Sequence, residues 1–228
     1  MALVDLIFPK KCLECGRNDK YICNSCIRKV GFSKLICCEC DKASVDGFTH
    51  IKCKKALSFD GTFSIWKYDG VVRKSIIKLK YNFAFEIADE LADIGGRFLI
   101  SKFNALPKNS ILVPVPLHSK RKNWRGFNQA DNMGEIIADK VGWKYARNLL
   151  VRKRMNTPQV ELSGSQRRNN MLGIFDFNKD YLSVLEKAKN YSLIVFDDVW
   201  TTGSTLKEAA KVLKRKGFSN VWGLTIAR

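Results

Sequence analysis

Val195-Phe196-Asp197-Asp198-Val199-Trp200-Thr201-Thr202-Gly203-Ser204-Thr205 is the stretch that decides the fold of this chain. An apolar run at residues 193–196 ends in two adjacent carboxylates, a hydroxyl- and glycine-rich turn follows, and an amphipathic run occupies residues 206–216. That order predicts a buried strand, a loop and a helix. Backbone N–H groups and hydroxyls of residues 201–205 then lie at a helix N-terminus, where unpaired donors and the helix dipole favour a phosphate. Asp197 and Asp198 would repel that phosphate, so they suit sugar hydroxyls or a hydrated Mg²⁺ instead. A phosphate pocket beside a diol or metal site points to a phosphorylated sugar.

The segment resembles the 5-phosphoribosyl-1-pyrophosphate (PRPP) signature of type I phosphoribosyltransferases. The resemblance implies that Asp197 and Asp198, the catalytic candidates, hold the ribose hydroxyls, while Thr201, Thr202, Gly203, Ser204 and Thr205 hold the 5-phosphate. A receiver-like strand end, where paired aspartates bind metal without sugar, is the competing reading. The Thr-Thr-Gly-Ser-Thr turn argues against it.

Length and composition set the frame. The 228 residues suffice for one α/β domain and a small appendage. An apolar fraction of 46% is that of a globular protein, not a disordered one. Lys, Arg or Asp interrupts every apolar stretch before it reaches the length of a membrane span. The first residues lack a basic start followed by an apolar core, so a cytoplasmic location without a signal peptide is expected. Forty Lys and Arg against 22 Asp and Glu leave a net charge of +18. Such a surface attracts nucleic acid, anionic membrane or phosphorylated substrates.

All eight cysteines fall between Cys12 and Cys53, which sets residues 1–58 apart as a module and leaves 59–228 as the main domain. Cys12, Cys15, Cys23 and Cys26 form two knuckles suited to tetrahedral Zn²⁺. Cys37, Cys40, His50 and Cys53 form a second quartet with one imidazole, and Cys38 is left over. Cross-braced pairings use the same spacings and remain open. Two-residue spacing in a cytoplasmic chain favours zinc over disulfides. Four protein ligands leave no open position, so the expected role is structural, with the metal supplying much of the folding energy.

The remainder alternates strands and helices. Residues 62–68, 111–115 and 221–227 read as strands, and residues 71–79, 85–103 and 128–141 as helices, the last stopped by Gly142. The expected fold is α/β, a mostly parallel sheet with helices on both faces. Ligands of such sheets bind beyond the carboxyl ends of the strands, where Asp197 and Asp198 fall.

Two basic segments complete the reading. Val113-Pro-Val-Pro-Leu117-His118 leads into Ser119, Lys120, Arg121, Lys122, Trp124, Arg125 and Phe127, cations interleaved with aromatics. It could reach a pyrophosphate or stack nucleic-acid bases, and equally be a solvated basic loop. The second segment, with Arg152, Arg154, Thr157, Gln159, Arg167 and Asn170, is basic and amide-rich and has no metal or nucleophile pattern.

Knuckle cysteines, Pro-Val-Pro-Leu-His, Arg-Gly-Phe-Asn-Gln-Ala, Arg-x2-Thr-x-Gln-x2-Leu-Ser, Arg-x2-Asn and Asp-Asp-Val-x-Thr-Thr-Gly-x-Thr occur in one order over nearly the whole chain. In this the chain resembles the ComF family, phosphoribosyltransferase-like proteins of bacterial competence. The resemblance implies a type I phosphoribosyltransferase-like fold behind an N-terminal zinc-finger module. It places Leu117, His118, Ser119 and Lys120 at the pyrophosphate loop, and residues 121–129 at the loop that covers the site in related transferases. Arg121 and Arg125 would then bind PRPP. Trp200 stands where a smaller residue is usual, and His50 where a cysteine is common.

The family resemblance also implies a part in DNA uptake and natural transformation. Single-stranded DNA would contact Lys122, Trp124, Arg125, Phe127, Arg152 and Arg154, with a competence helicase or translocation machinery as a possible partner. The alternative is an active transferase that moves phosphoribose from PRPP, with Mg²⁺ on the leaving pyrophosphate, to a nitrogen nucleophile.

Overall fold

A computed structural model describes residues 9–79, 85–102, 106–117, 127–153, 173–181 and 190–228. Among them the chain runs through α1 (Asn24–Ile27), β1 (Gly61–Trp66), α2 (Gly70–Lys78), α3 (Phe85–Lys102), β2 (Ser110–Pro114), α4 (Gln129–Val141), β3 (Lys144–Tyr145), β4 (Leu150–Arg152), β5 (Phe175–Phe177), β6 (Ser192–Val199), α5 (Ser204–Arg215) and β7 (Val221–Ala227). Five strands form one parallel sheet in the order β1-β7-β6-β2-β3, while β4 and β5 make a separate antiparallel pair. The α/β class and the parallel sheet are those the sequence predicts.

The period of two in the strands assigns the faces. Ile194 and Phe196 join Leu112, Leu224 and Ile226 in a core under α2, α3 and α4, which contribute Val72, Leu91, Met133 and Ile137. Leu193 and Val195 point the other way, with Ile111 and Val113, onto Leu206, Ala209, Ala210 and Leu213 of α5 and Phe175 and Phe177 of β5. Burial on both faces explains why β6 reads as a continuous apolar run. Gly142 ends α4 in the left-handed conformation (φ +77°), as its place in the sequence predicts.

This topology also locates a crevice. The connection leaving β2 goes through α4 on one face to β3 on the outside, whereas that leaving β6 goes through α5 on the opposite face to β7. The chain therefore diverges between β2 and β6, and the space beyond their carboxyl ends is where open parallel sheets of this topology bind their ligands.

The cysteine-rich head packs onto the body rather than standing off it. Ile22, Ile27 and Val30 are buried with Val71 and Val72 of α2. Glu90 of α3 accepts hydrogen bonds from the backbone N–H groups of Tyr21 (3.3 Å) and Ile22 (2.9 Å). Phe32 stacks on Phe98 with ring centroids 4.5 Å apart. Bridges at Phe32–Trp66 and Phe48–Gly61 cover the outer edge of β1, which would otherwise present unpaired backbone groups. Asp60, just before β1, bonds Lys54 of the head (2.7 Å), Lys214 of α5 (2.6 Å) and the N–H of Val221 (2.7 Å). Burial pushes its carboxyl up, but the two ammonium groups and the N–H outweigh that and hold it below the usual carboxylate range.

Candidate functional site

Strand β6 runs past the apolar residues to Val199, so Asp197 and Asp198 lie within its final turn of pleat rather than after it. Asp197 is still paired in register with Thr225 of β7. Both carboxylates are partly buried. Asp197 Oδ1 accepts from the N–H of Asp198 at 2.9 Å. Burial, and then the adjacent charge of Asp198, push the Asp197 carboxyl well above the usual range, while Arg152 on β4 opposes the shift. Two crowded carboxylates of this kind favour a cation or hydroxyl donors between them.

The turn that follows stands at the N-terminus of α5. Thr201 and Thr202 are exposed, Gly203 is the buried N-cap, and Ser204 and Thr205 begin the helix. Gly203 has no side chain to cap the helix; Thr202 Oγ1 accepts weakly from the Ser204 N–H at 3.4 Å and lies 2.7 Å from Ser204 Oγ. The start of α5 thus carries N–H groups with hydroxyls beside them, an arrangement that suits an anion. Gly203 takes φ +70°, and a Cβ there would lie 2.2 Å from Cζ2 of Trp200. Trp200 is buried, and its indole forms the floor of the turn. Its bulk points into the core, away from the mouth, which reconciles a large residue with a small-residue position.

Leu117 is half-buried beyond β2 on the other side of the crevice. His118, Ser119, Lys120, Arg121, Lys122, Trp124, Arg125 and Arg154 lie outside the described residues. Arg152 ends β4, its guanidinium 5.7 Å from the Phe175 ring. Phe127 corrects an expectation: it is 6% exposed, with its ring centroid 4.1 Å from that of Phe85, so it is committed to the core and offers no face to a base. Its neighbours carry structural duties the motif did not announce. Asn128 Nδ2 donates to Val115 O at 3.1 Å, tying α4 to the strand end at the crevice. Gln129, buried, donates to Leu79 O at 2.5 Å. Amides in a basic motif are the available signal for such anchors, since each can satisfy a strand or helix end.

The head brings the sequence-predicted ligands together in two groups. Ligand atoms of Cys12, Cys15, Cys23 and Cys26 lie within 4.8 Å of one another, as do those of Cys37, Cys40, His50 and Cys53. Cys15 and Cys23 sulfurs are 3.7 Å apart. Tetrahedral zinc with bonds of about 2.3 Å requires about 3.8 Å between sulfurs. In the second group His50 Nδ1 is 3.4 Å from Cys40 Sγ, and Nε2 is 3.0 Å from Ala43 O. A carbonyl holding the far nitrogen as N–H leaves Nδ1 free to ligate. Burial raises the Cys12 thiol, but the N–H groups of Cys15, Cys23 and Glu14 outweigh it and bring the thiol down to about 6. Burial and the neighbouring sulfurs push Cys26 up to about 12 and Cys53 up to about 11. Clustered sulfurs cannot all ionise beside one another without a cation, so both groups fit a metal dication.

No protein-family model matches the chain. Among curated proteins it is 28% identical over 206 residues to the DNA utilization protein YhgH of Salmonella typhi, covering 88% of this chain and 87% of that protein. It is 34% identical over 119 residues to competence protein F of Haemophilus influenzae, covering 51% of this chain and 50% of that protein. To competence protein ComFC of Bacillus subtilis it is 28% identical over 155 residues, 68% of this chain and 58% of that protein. No helix among the described residues is long and apolar enough to cross a membrane.

Proposed function

We propose, from the premise that this chain belongs to the ComF family, that it is a PRPP-binding protein acting in DNA uptake on the cytoplasmic side of the membrane. The observation that carries this reading is the pairing, at one crevice, of Asp197 and Asp198 with a glycine-hinged turn at the N-terminus of α5. The N–H groups and hydroxyls of Thr202, Ser204 and Thr205 hold the 5-phosphate, and Asp197 and Asp198 take the ribose hydroxyls. Mg²⁺, when bound with PRPP, neutralises its pyrophosphate. The names of the relatives, a DNA utilization protein and competence proteins, support the setting. The net charge of +18 supports contact with single-stranded DNA. The two cysteine-rich groups hold Zn²⁺ and brace the head as a module on the main domain.

The test is a calorimetric titration of the zinc-loaded protein with PRPP and Mg²⁺. Saturable binding is expected in the native chain, with none in the Asp197→Asn/Asp198→Asn variant. Equal binding by both proteins, or none by the native chain at millimolar PRPP, refutes the assignment.

A further inference from the structure

The second cysteine group and the turn at residues 201–204, over 140 residues apart in sequence, are linked through side chains that meet at Trp200. Cys38, between the ligands Cys37 and Cys40, has a thiol 3.2 Å from Thr49 Oγ1, and that hydroxyl donates to Phe59 O at 2.7 Å. With the Thr49 proton so used, the Cys38 S–H is the donor of the first bond. Cys38, Phe59, Trp200 and Leu206 share one buried cluster, with the Phe59 and Trp200 ring centroids 6.3 Å apart. A second route leaves from Asp41, which follows the ligand Cys40. Asp41 adopts φ +59°, its N–H bonds Cys37 O at 2.9 Å, and its carboxylate accepts from Arg228 Nη2 at 2.9 Å. The Arg228 guanidinium lies 5.8 Å from the Trp200 ring centroid. Both routes converge on the indole that floors the turn at Gly203.

We infer that metal at Cys37, Cys40, His50 and Cys53 orders residues 201–204 by fixing Trp200 and Arg228, and that metal and a phosphorylated ligand at the turn therefore bind cooperatively. The metal fixes the knuckle backbone, which places Cys38 against the core and holds Asp41 at the left-handed φ of +59° in which its N–H closes on Cys37 O. Loss of the metal releases Asp41, then Arg228, and leaves the indole with one fewer restraint. The indole packs directly against Gly203, closer than any Cβ there would allow, so a ring that shifts takes the support from under residues 201–204 and loosens the start of α5. By linkage, whatever factor the metal contributes to ligand affinity the ligand returns to metal affinity. The ligand half of this inference rests on the PRPP reading; the ordering of the turn by the metal does not.

Hydrogen exchange of the full, metal-loaded chain, read on amides 201–206, tests the ordering. Cys53→Ser should speed exchange there by at least about 5-fold, the lower end of usual coupling factors. Cys15→Ser, in the other group, should leave it unchanged. Arg228→Ala keeps every ligand and should give a smaller acceleration with metal content intact, which covers the case where Cys53→Ser fails to fold. Release of zinc to a colorimetric chelator should also slow by about 5-fold or more on adding PRPP and Mg²⁺, and by less in Arg228→Ala. Unchanged exchange in both Cys53→Ser and Arg228→Ala, or equal acceleration by Cys15→Ser, overturns the coupling. PRPP binding without effect on zinc release overturns the cooperativity. Accelerated exchange in a protein that does not bind PRPP overturns the ligand assignment and leaves the ordering standing.

Discussion

Replacing Gly203 by alanine probes the turn at its tightest point. The backbone there has φ +70°, and the new Cβ would lie 2.2 Å from Cζ2 and 2.5 Å from Cε2 of the buried Trp200. Left-handed backbone costs an L residue about 1–2 kcal/mol. Forcing a methyl group into a packed ring adds about 1–3 kcal/mol. The stiffer unfolded chain returns about 0.4–1 kcal/mol. The net expectation is a loss of about 2–4 kcal/mol, read as a fall of about 1 M in the urea midpoint followed by tryptophan fluorescence. Gly217, at the other end of α5, is the internal control: φ is +91°, but nothing lies within 4 Å of its added Cβ. Gly217→Ala should cost only the conformational share, about 1 kcal/mol. In a double-mutant cycle, Trp200→Ala combined with Gly203→Ala should cost about 1–3 kcal/mol less than the separate changes together, because the overlap is gone. If Gly203→Ala proves no more costly than Gly217→Ala, the indole does not support the turn and the argument built on it fails.

Asp60→Asn should destabilise the chain by about 3–5 kcal/mol in urea unfolding, because it leaves the nearly buried Lys214 ammonium (side chain 8% exposed) without its counter-charge. The Asp60 carboxyl lies below its unfolded value, so the native advantage is full above the ordinary carboxylate range and shrinks as pH falls through the folded value; a gap independent of pH from 7 to 3 contradicts this. Metal analysis should find two zinc equivalents per native chain and one after either Cys26→Ser or Cys53→Ser; an unchanged count refutes the ligand sets. Binding of a single-stranded oligonucleotide should weaken steeply with salt, by a slope of about 0.7 per phosphate neutralised on logarithmic axes, whereas a flat response removes electrostatics as its basis.

Much of the site was legible because its chemistry is contiguous. An apolar run, two carboxylates and a hydroxyl-glycine turn announce a strand end and a helix start within eleven residues, and β6 and α5 stand there. The ligand quartets were legible for the same reason, since knuckle spacing is local. What escaped depends on distance. Strands β3, β4 and β5 have two or three residues each, too few for a period to register, and take their shape from partners. Nothing near Tyr21 and Ile22 shows that a carboxylate 68 or 69 positions later will take up their N–H groups. Phe127 looked like a stacking residue among cations because sequence shows a ring but not its burial. Trp200 looked like an intrusion at the turn and is its floor, a role set by Gly203 giving way to it.

The central claim is that a phosphoribosyl ligand sits beyond β6. The most direct measurement is a crystal structure of the zinc-loaded chain grown with PRPP and Mg²⁺. The account predicts the 5-phosphate against the N–H groups of residues 202–205 and the ribose hydroxyls on Asp197 and Asp198. PRPP bound elsewhere, or a phosphate on the far side of the crevice with the turn vacant, would contradict it.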